Sequence, residues 1–126
     1  MGLTIKEVSE KFGIPSETLR YYERVGVIPR VTRTASGIRD YQEEDIAWVE
    51  NAKCFRAAGL PIEALIEYLK LYGEGNSTLQ ARLDLLKEQK DILLIQQKQL
   101  EKTLDKLNYK ISRYESAVKT GRLTWD

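Results

Sequence analysis

Histidine is absent from the 126-residue sequence, and cysteine occurs only once, as Cys54. A single cysteine cannot form a disulfide within the chain, and without histidine neither a tetrahedral zinc site nor a Ser-His-Asp triad can be assembled. No apolar run approaches the roughly 20 residues that a helix needs to cross a bilayer, and the N-terminus lacks the apolar core of a signal peptide. These absences predict a cytoplasmic protein with no membrane partner, metal, cofactor or enzymatic activity.

An excess of one charge is also missing, since 20 Lys and Arg residues stand against 19 Asp and Glu residues. The charges are nevertheless unevenly distributed. Residues 20–39 contain five arginines and one acid, Glu23, whereas residues 40–50 contain five acids and no base. A basic block of this kind is expected where a surface meets nucleic-acid phosphates, and an acidic block suits the start of a helix.

The first 30 residues carry the signals of two short helices joined by a tight turn. Thr4 and Glu7 predict a capping box, Gly13 supplies the turn, and Gly26 followed by Pro29 ends the second helix. Two short helices joined in this way form a helix-turn-helix, whose second helix enters the DNA major groove. With Leu19 as the inward anchor, we expect the outward face of the second helix to consist of Ser16, Glu17, Arg20, Tyr21 and Arg24.

The pattern changes from helical to extended after Pro29. β-Branched residues lie on both sides of Ser36-Gly37, a turn pair, and this predicts a β-hairpin over residues 30–41. We call this segment the wing.

These segments, Thr18-Leu-Arg-Tyr-Tyr-Glu23, Gly26 and Arg33-x-x-x-Gly37-x-Arg39-x-Tyr41, resemble in their order the DNA-binding half of the MerR family of transcription regulators. The match extends from Thr4 to about Leu60. The resemblance implies a mainly α fold, in which an N-terminal winged helix-turn-helix domain precedes a long dimerisation helix that forms an antiparallel coiled coil. It also implies DNA-backbone contacts from Arg20, Tyr21, Arg33, Arg39 and Tyr41, and base selection at Glu17 and Ile38.

The complete set of residues expected at the DNA is Ser16, Glu17, Thr18, Arg20, Tyr21, Arg24, Arg33, Ile38, Arg39 and Tyr41. A structural alternative stays open at this stage. In that alternative Tyr21 and Tyr22 are core aromatics and the arginines form a solvated face, and Tyr22 in particular is expected to be buried. The clustering of five arginines around one turn and one hairpin favours DNA contact.

Two helices are predicted after the wing, over residues 41–58 and from Pro61 to Gly73. A polar, glycine-rich segment at 73–78 predicts a linker, and Ser77 to Gln80 predicts a capping box that opens a long final helix. The expected organisation is therefore a DNA-binding domain at 1–72, a linker at 73–78, a coiled-coil dimerisation helix at 79–120 and a short tail at 121–126.

The long helix contains neither Gly nor Pro before residue 120 and carries a coiled-coil seam. Its seven-residue series is Leu79, Leu86, Leu93, Leu100, Leu107 and Tyr114, interleaved with Leu83, Lys90, Gln97, Leu104, Ile111 and Val118. A helix of about 60 Å cannot bury such a stripe on a small domain. The simplest partner is the same helix of a second copy, and the polar positions Lys90 and Gln97 suit a role in fixing register.

Little sequence remains to bind a signal molecule. The tail is too short for a ligand-binding domain, and no cysteine lies near the end of the long helix, where metal sensors of the family carry theirs. A subgroup of short MerR regulators with a lone cysteine on the helix after the wing is associated with reactive aldehydes and thiol stress. The resemblance to that subgroup makes Cys54 a sensor candidate, while the alternative is that Cys54 is a small core hydrophobe.

The predicted function is a homodimeric regulator that binds promoter-spacer DNA and distorts it, so that RNA polymerase meets both promoter elements in register. An excisionase-like architectural protein with the same winged fold is the main alternative. A coiled-coil interaction module with an incidental basic turn is another. An enzyme has no constellation of residues to support it.

Overall fold

A computed structural model describes residues 2–126 of the chain. Within these residues the α-helices are α1 (Ile5–Phe12), α2 (Ser16–Val25), α3 (Glu43–Ala57), α4 (Ile62–Gly73) and α5 (Leu79–Thr120), and a 3-10 helix covers Asn76–Thr78. The mainly helical fold class is confirmed. Contacts divide the chain into two compact units, the first ending at Gln89 and the second comprising Lys90–Asp126.

The first two helices form the predicted helix-turn-helix. The Thr4 hydroxyl accepts a hydrogen bond from the Glu7 N–H at 3.1 Å, and the Glu7 carboxylate accepts one from the Thr4 N–H at 2.9 Å, so the capping box is confirmed. Gly13 and Gly26 end α1 and α2 in the left-handed conformation, with φ of 67° and 92°. Glycine adopts this conformation without the steric cost that a Cβ atom brings, and the two positions therefore fix the direction of the chain after each helix.

The wing is the predicted β-hairpin in a short form, with an antiparallel bridge between Arg33 and Arg39 and no regular strands. Thr34 donates its N–H to the Ile38 carbonyl at 2.8 Å, and Asp40 donates its N–H to the Thr32 carbonyl at 2.7 Å. The returning arm then leaves its neighbour, because Tyr41 pairs instead with Leu3, exchanging two backbone hydrogen bonds of 2.8 and 2.9 Å. This second bridge ties the end of the wing to the N-terminus and leaves the wing too short for regular strands.

The core of the first unit lies between the helix-turn-helix, the wing and α3. Its largest fully covered side chains are Tyr41, Leu19, Ile28, Val8 and Val49. Leu19 therefore points inward, and Tyr22 is buried as expected at 8% exposure. This packing leaves the opposite face of α2 at the surface.

A cluster of aromatic rings joins α3 to α4. The ring centres of Trp48 and Tyr72 lie 5.3 Å apart in an edge-to-face arrangement, and Tyr68 lies 6.4 Å from each of them. Beside this cluster is an apolar cavity of about 210 Å³, lined by Val27, Trp48, Asn51, Ala52, Phe55, Leu65, Tyr68 and Leu86.

The capping box predicted at Ser77 to Gln80 does not form. Thr78 is instead buried at the end of the 3-10 helix, where its hydroxyl lies 2.6 Å from the Leu71 carbonyl and 2.8 Å from the Gly75 carbonyl. The hydroxyl thus ties the turn back to the end of α4. Ser77, the predicted cap, lies within the 3-10 helix, and the Gln80 amide donates a hydrogen bond of 2.9 Å to the Asp84 carboxylate.

Helix α5 carries the predicted seam along its surface. Leu93 is half-buried, and nine other apolar seam residues each expose 45% or more of their surface: Leu79, Leu83, Leu86, Leu100, Leu104, Leu107, Ile111, Tyr114 and Val118. After α5 the tail turns at Gly121, and Trp125 packs on Tyr109 and Tyr114, with ring centres 6.4 and 6.1 Å away. Among residues 2–126 no helix has the length and apolar character needed to cross a membrane.

Candidate nucleic-acid interface

The outward face of α2 presents a mixture of charged and polar groups. Glu17, Arg20 and Arg24 are exposed, whereas Ser16, Thr18 and Tyr21 are half-buried. The Arg24 guanidinium lies 5.4 Å from the centre of the Tyr21 ring, a distance at which a cation is attracted to the ring face. Tyr21 thus supports an arginine at the surface.

Glu23 links α2 to the wing through two ion pairs. Its carboxylate accepts a hydrogen bond of 2.7 Å from Arg39 Nε and one of 3.0 Å from Arg33 Nη2. Only 9% of the Glu23 side chain is exposed, and about a quarter of each arginine side chain. Arg33 also donates to the Gly37 carbonyl at 3.2 Å, so the same guanidinium holds the turn of the wing.

Sequence reasoning missed this role of Glu23. The signal was present, since Glu23 is the single acid among five arginines, but linear order does not show which arginines an acid will meet. Arg33 and Arg39 follow Glu23 by 10 and 16 residues, and only the turn at Gly26 and the returning wing bring the three together. Their charges are therefore partly neutralised within the protein.

The ion pairs govern the protonation of Glu23. Burial by itself would raise the pKa of Glu23, but the hydrogen bond and charge of Arg39, a backbone hydrogen bond at Val31 and the charge of Arg33 outweigh it. The pKa of Glu23 consequently lies below its ordinary value of 4.5.

This lowered pKa predicts a loss of stability in acid. Because the pKa is lower in the folded than in the unfolded chain, the ionised carboxylate stabilises the fold above pH 4.5, and this contribution disappears as the pH falls through the folded pKa. Urea unfolding of the wild type and of Glu23→Gln at a series of pH values measures it. We expect the difference between their free energies of unfolding to be constant near neutral pH and to shrink below pH 4.5; a difference independent of pH would contradict the ionised pair.

Tyr41 does not belong to the DNA-facing surface, and the prediction that it contacts phosphate is wrong for this structure. Its side chain is fully covered, and its buried hydroxyl has no hydrogen-bond partner among the described residues. Burial raises the pKa of the Tyr41 hydroxyl. The reason for the burial is the bridge to Leu3, which draws the end of the wing into the core.

Ile38, unlike Tyr41, is highly exposed to solvent. It is the residue after Gly37 at the tip of the wing, and 64% of its surface is exposed. An apolar side chain exposed to this degree is a candidate for contact with a partner, and the predicted partner is a DNA groove.

A shallow depression lies between α2 and the wing, lined by Arg20, Glu23, Arg24, Arg30 and Arg39. Four guanidinium groups around one opening form a concave positive surface of the kind that binds phosphate, each with N–H donors in a planar fork. Arg30 was counted in the basic block but was not among the predicted contacts; its position at this opening adds it to the candidates.

Cys54 is exposed on α3, so the alternative that it is a small core residue is wrong for this structure. The nearby cationic side chains, Lys53 and Arg56, make contacts with groups other than the Cys54 thiol. The Lys53 amine lies 5.9 Å from the centre of the Phe12 ring, and Arg56 donates a hydrogen bond of 2.7 Å to the Leu60 carbonyl.

Comparison with known proteins decides the family. The model described as "MerR HTH family regulatory protein" matches residues 3–71, which is more than half of the chain. The chain belongs to the MerR family. It is thus a transcription regulator of the MerR type and not an enzyme.

Among relatives of this MerR regulator is the HTH-type transcriptional regulator AdhR of Bacillus subtilis (strain 168), 54% identical over 92 residues that cover 73% of this chain and 66% of AdhR. A crystal structure from Listeria monocytogenes, of a protein assigned to the family, has a TM-score of 0.89 at 44% identity and covers 95% of this chain and 91% of its own. HiNmlR, a MerR family regulator lacking the sensor domain and crystallised bound to promoter DNA, has a TM-score of 0.86 at 30% identity, with 96% of each chain covered.

Proposed function

We propose that two copies of this protein bind a promoter as a homodimer, with α2 of each copy in a major groove and the wing beside it on the phosphates. The observation that carries the proposal is the depression lined by four arginines between α2 and the wing. The likeness to HiNmlR, which is bound to promoter DNA in its crystal structure, supports it. In this arrangement Glu17 and Ile38 face the DNA bases. The residues that contact the DNA backbone are Arg20, Tyr21, Arg24, Arg33 and Arg39.

In the proposed homodimer each segment of the chain has a separate role. Residues 1–72 form the DNA-binding domain, 73–78 the linker, 79–120 an antiparallel coiled coil with the partner and 121–126 the tail. Exposure of nine apolar seam residues on α5 supports dimerisation, because an isolated helix with this stripe leaves a continuous apolar surface in water.

The dimer activates transcription by distorting the promoter spacer, so that RNA polymerase meets both promoter elements in register. Bending a DNA site of about 20 to 30 base pairs costs of order 1 to 6 kcal/mol. Favourable contacts between the DNA and the two linked domains can offset this cost. A purified transcription assay on promoters whose spacer length is varied tests this step. Activation confined to an overlong spacer is expected, whereas DNA bending without activation would favour the excisionase-like alternative.

Arg20→Ala should weaken binding to all DNA sequences by a similar factor, because a phosphate contact carries no base information. Each copy loses one contact, and the slope of log K against log salt concentration should fall by about 2 for the dimer. A gel shift on the upstream region of its own gene, titrated with salt, measures both quantities. Lys70→Ala removes an exposed base on α4 and serves as the control; an equal effect from both variants would contradict a specific contact at Arg20.

We further infer that Cys54 senses reactive aldehydes or thiol stress. Its exposure gives an electrophile access to the thiol. Cys54→Ser should abolish aldehyde-induced output from the regulated promoter and leave DNA affinity in the gel shift unchanged. An undiminished response in this variant would eliminate the thiol as the sensor and leave DNA regulation intact.

A further inference from the structure

The first three turns of α5 belong to the first unit, and their side chains divide into two neighbouring faces. Arg82 and Leu85 are half-buried and Gln89 is buried, at the spacing of three and four residues that defines one helix face. The seam residues of the same turns are exposed: Leu79, Leu83 and Leu86. The rotation of α5 about its own axis within the first unit therefore determines which way the start of the seam faces.

Arg82 is held on the inward face by two hydrogen bonds and one aromatic ring. Its Nε donates to the Thr78 hydroxyl at 3.0 Å, and its Nη2 donates to the Gly75 carbonyl at 2.9 Å. The centre of its guanidinium lies 5.4 Å from the centre of the Tyr72 ring, within the range of a cation–π interaction. A guanidinium makes this set of contacts because its N–H donors lie in one rigid plane, whereas a lysine ammonium is a single point of charge.

The turn that Arg82 contacts is fastened to the end of α4. Thr78 is buried, and its hydroxyl, which accepts from Arg82, shares its own proton between the Leu71 carbonyl at 2.6 Å and the Gly75 carbonyl at 2.8 Å. Gly75 has φ of 92° and ψ of −167°, a combination that essentially only glycine adopts. Arg82 thus connects the start of α5 to the end of α4 through a turn whose backbone the same hydroxyl holds.

Tyr72 extends these contacts to α3. Its ring lies edge-to-face with Trp48, with the ring centres 5.3 Å apart. Trp48 packs against the core that α3 shares with the helix-turn-helix, next to the fully covered Val49. One side chain of α5 is therefore linked through one ring to the body of the first unit.

We propose that Arg82 is a positioning residue, which fixes the rotation of α5 at its start and so sets the separation of the two operator half-sites that the dimer accepts. The proposal rests on the proposed homodimer and concerns its DNA specificity. Two recognition helices held in one geometry fit half-sites at one separation along the DNA helix. One inserted base pair turns a half-site by about 35° and moves it by about 3.4 Å, so a dimer with a loose start of α5 would tolerate the insertion better.

Gel shifts on three operators test the proposal: the site bound in the upstream region of its own gene, and two versions with one base pair inserted or removed at its centre. We expect the wild type to bind the natural separation about tenfold or more tightly than either altered one, because simultaneous engagement of both domains depends on geometry. Arg82→Ala should reduce this preference by about three- to tenfold, which is what one net hydrogen bond can hold. Lys87→Ala removes an exposed base of the same turns outside the seam, and it should keep the preference.

Thr78→Val tests the same contacts from the other side, since it removes the hydroxyl and keeps the branched shape. It should reduce the preference as Arg82→Ala does, and the double variant should lose no more than either single variant, because both act through one network. Arg82→Lys retains the charge and should recover part of the preference. It also serves as the milder variant should Arg82→Ala fail to fold, which circular dichroism and sedimentation detect.

A merely structural role of Arg82 would lower affinity for all three operators by the same factor and leave their ratio unchanged. That result in a folded, dimeric Arg82→Ala would overturn the proposal, and so would an equal loss of preference in Lys87→Ala. A wild type that binds as a dimer without preferring one separation would overturn it too, and would leave the proposed function intact. A wild type that is monomeric and fails to bind the promoter would overturn the proposed function itself.

Discussion

Leu104→Glu is expected to convert the homodimer to a monomer and to lower its affinity for promoter DNA by about 10² to 10⁴-fold. Leu104 lies in the seam and exposes half of its surface on the single chain. A carboxylate at this position would have to be buried in an apolar layer once in each copy, and an unpaired buried charge is strongly unfavourable. The loss in affinity follows because two linked domains bind one duplex far more tightly than one domain.

Gln99→Glu is the matched control, since it introduces the same charge on α5 at an exposed position outside the seam. Sedimentation at several concentrations measures the oligomeric state, and a gel shift at fixed salt measures affinity. The control should remain dimeric with almost unchanged affinity. If Leu104→Glu also remained dimeric, the seam would not be the dimer interface.

Glu23→Ala is expected to lower the free energy of unfolding by about 2 to 3 kcal/mol, because two charge-assisted hydrogen bonds are lost and two partly buried arginines are left without their acid. This loss lies at or below the lower end of the about 3 to 5 kcal/mol that breaking a fully buried ion pair costs, since about a quarter of each arginine side chain is exposed. Urea unfolding followed by circular dichroism measures the change.

Substitution of Glu23 also distinguishes two effects on DNA affinity, the positioning of the wing arginines and the net charge of the DNA-binding face. Removing an acid from a DNA-binding face should strengthen phosphate binding if only net charge mattered. We expect the opposite for Glu23→Gln, because the arginines of the wing lose the carboxylate that orients them. Glu10→Gln, which removes an exposed acid on α1 outside the predicted DNA contacts, should leave stability unchanged and maintain or increase affinity. If Glu23→Gln increased affinity as Glu10→Gln does, the ion pairs would not position the wing.

The positions of the helices could be predicted from short-range features of the sequence. The Thr4 capping box, the glycines at 13 and 26 and the uninterrupted heptads after residue 79 each depend on a few neighbouring residues, and the structure has the corresponding helix boundaries. The family was also accessible from short motifs in a fixed order. Predictions failed where a distant segment intervened, as when the bridge to Leu3 drew Tyr41 into the core.

The sequence by itself determined the helices, the family and the seam, because hydrophobic period and capping act over one or two turns. Only the tertiary structure decided that Glu23 holds two wing arginines, that Tyr41 is buried against the N-terminus, and that Cys54 is exposed. Each of these outcomes depends on which segments the turn at Gly26 and the wing bring together. Contacts between residues ten or more apart are set by the packing of the whole unit, and linear spacing does not specify them.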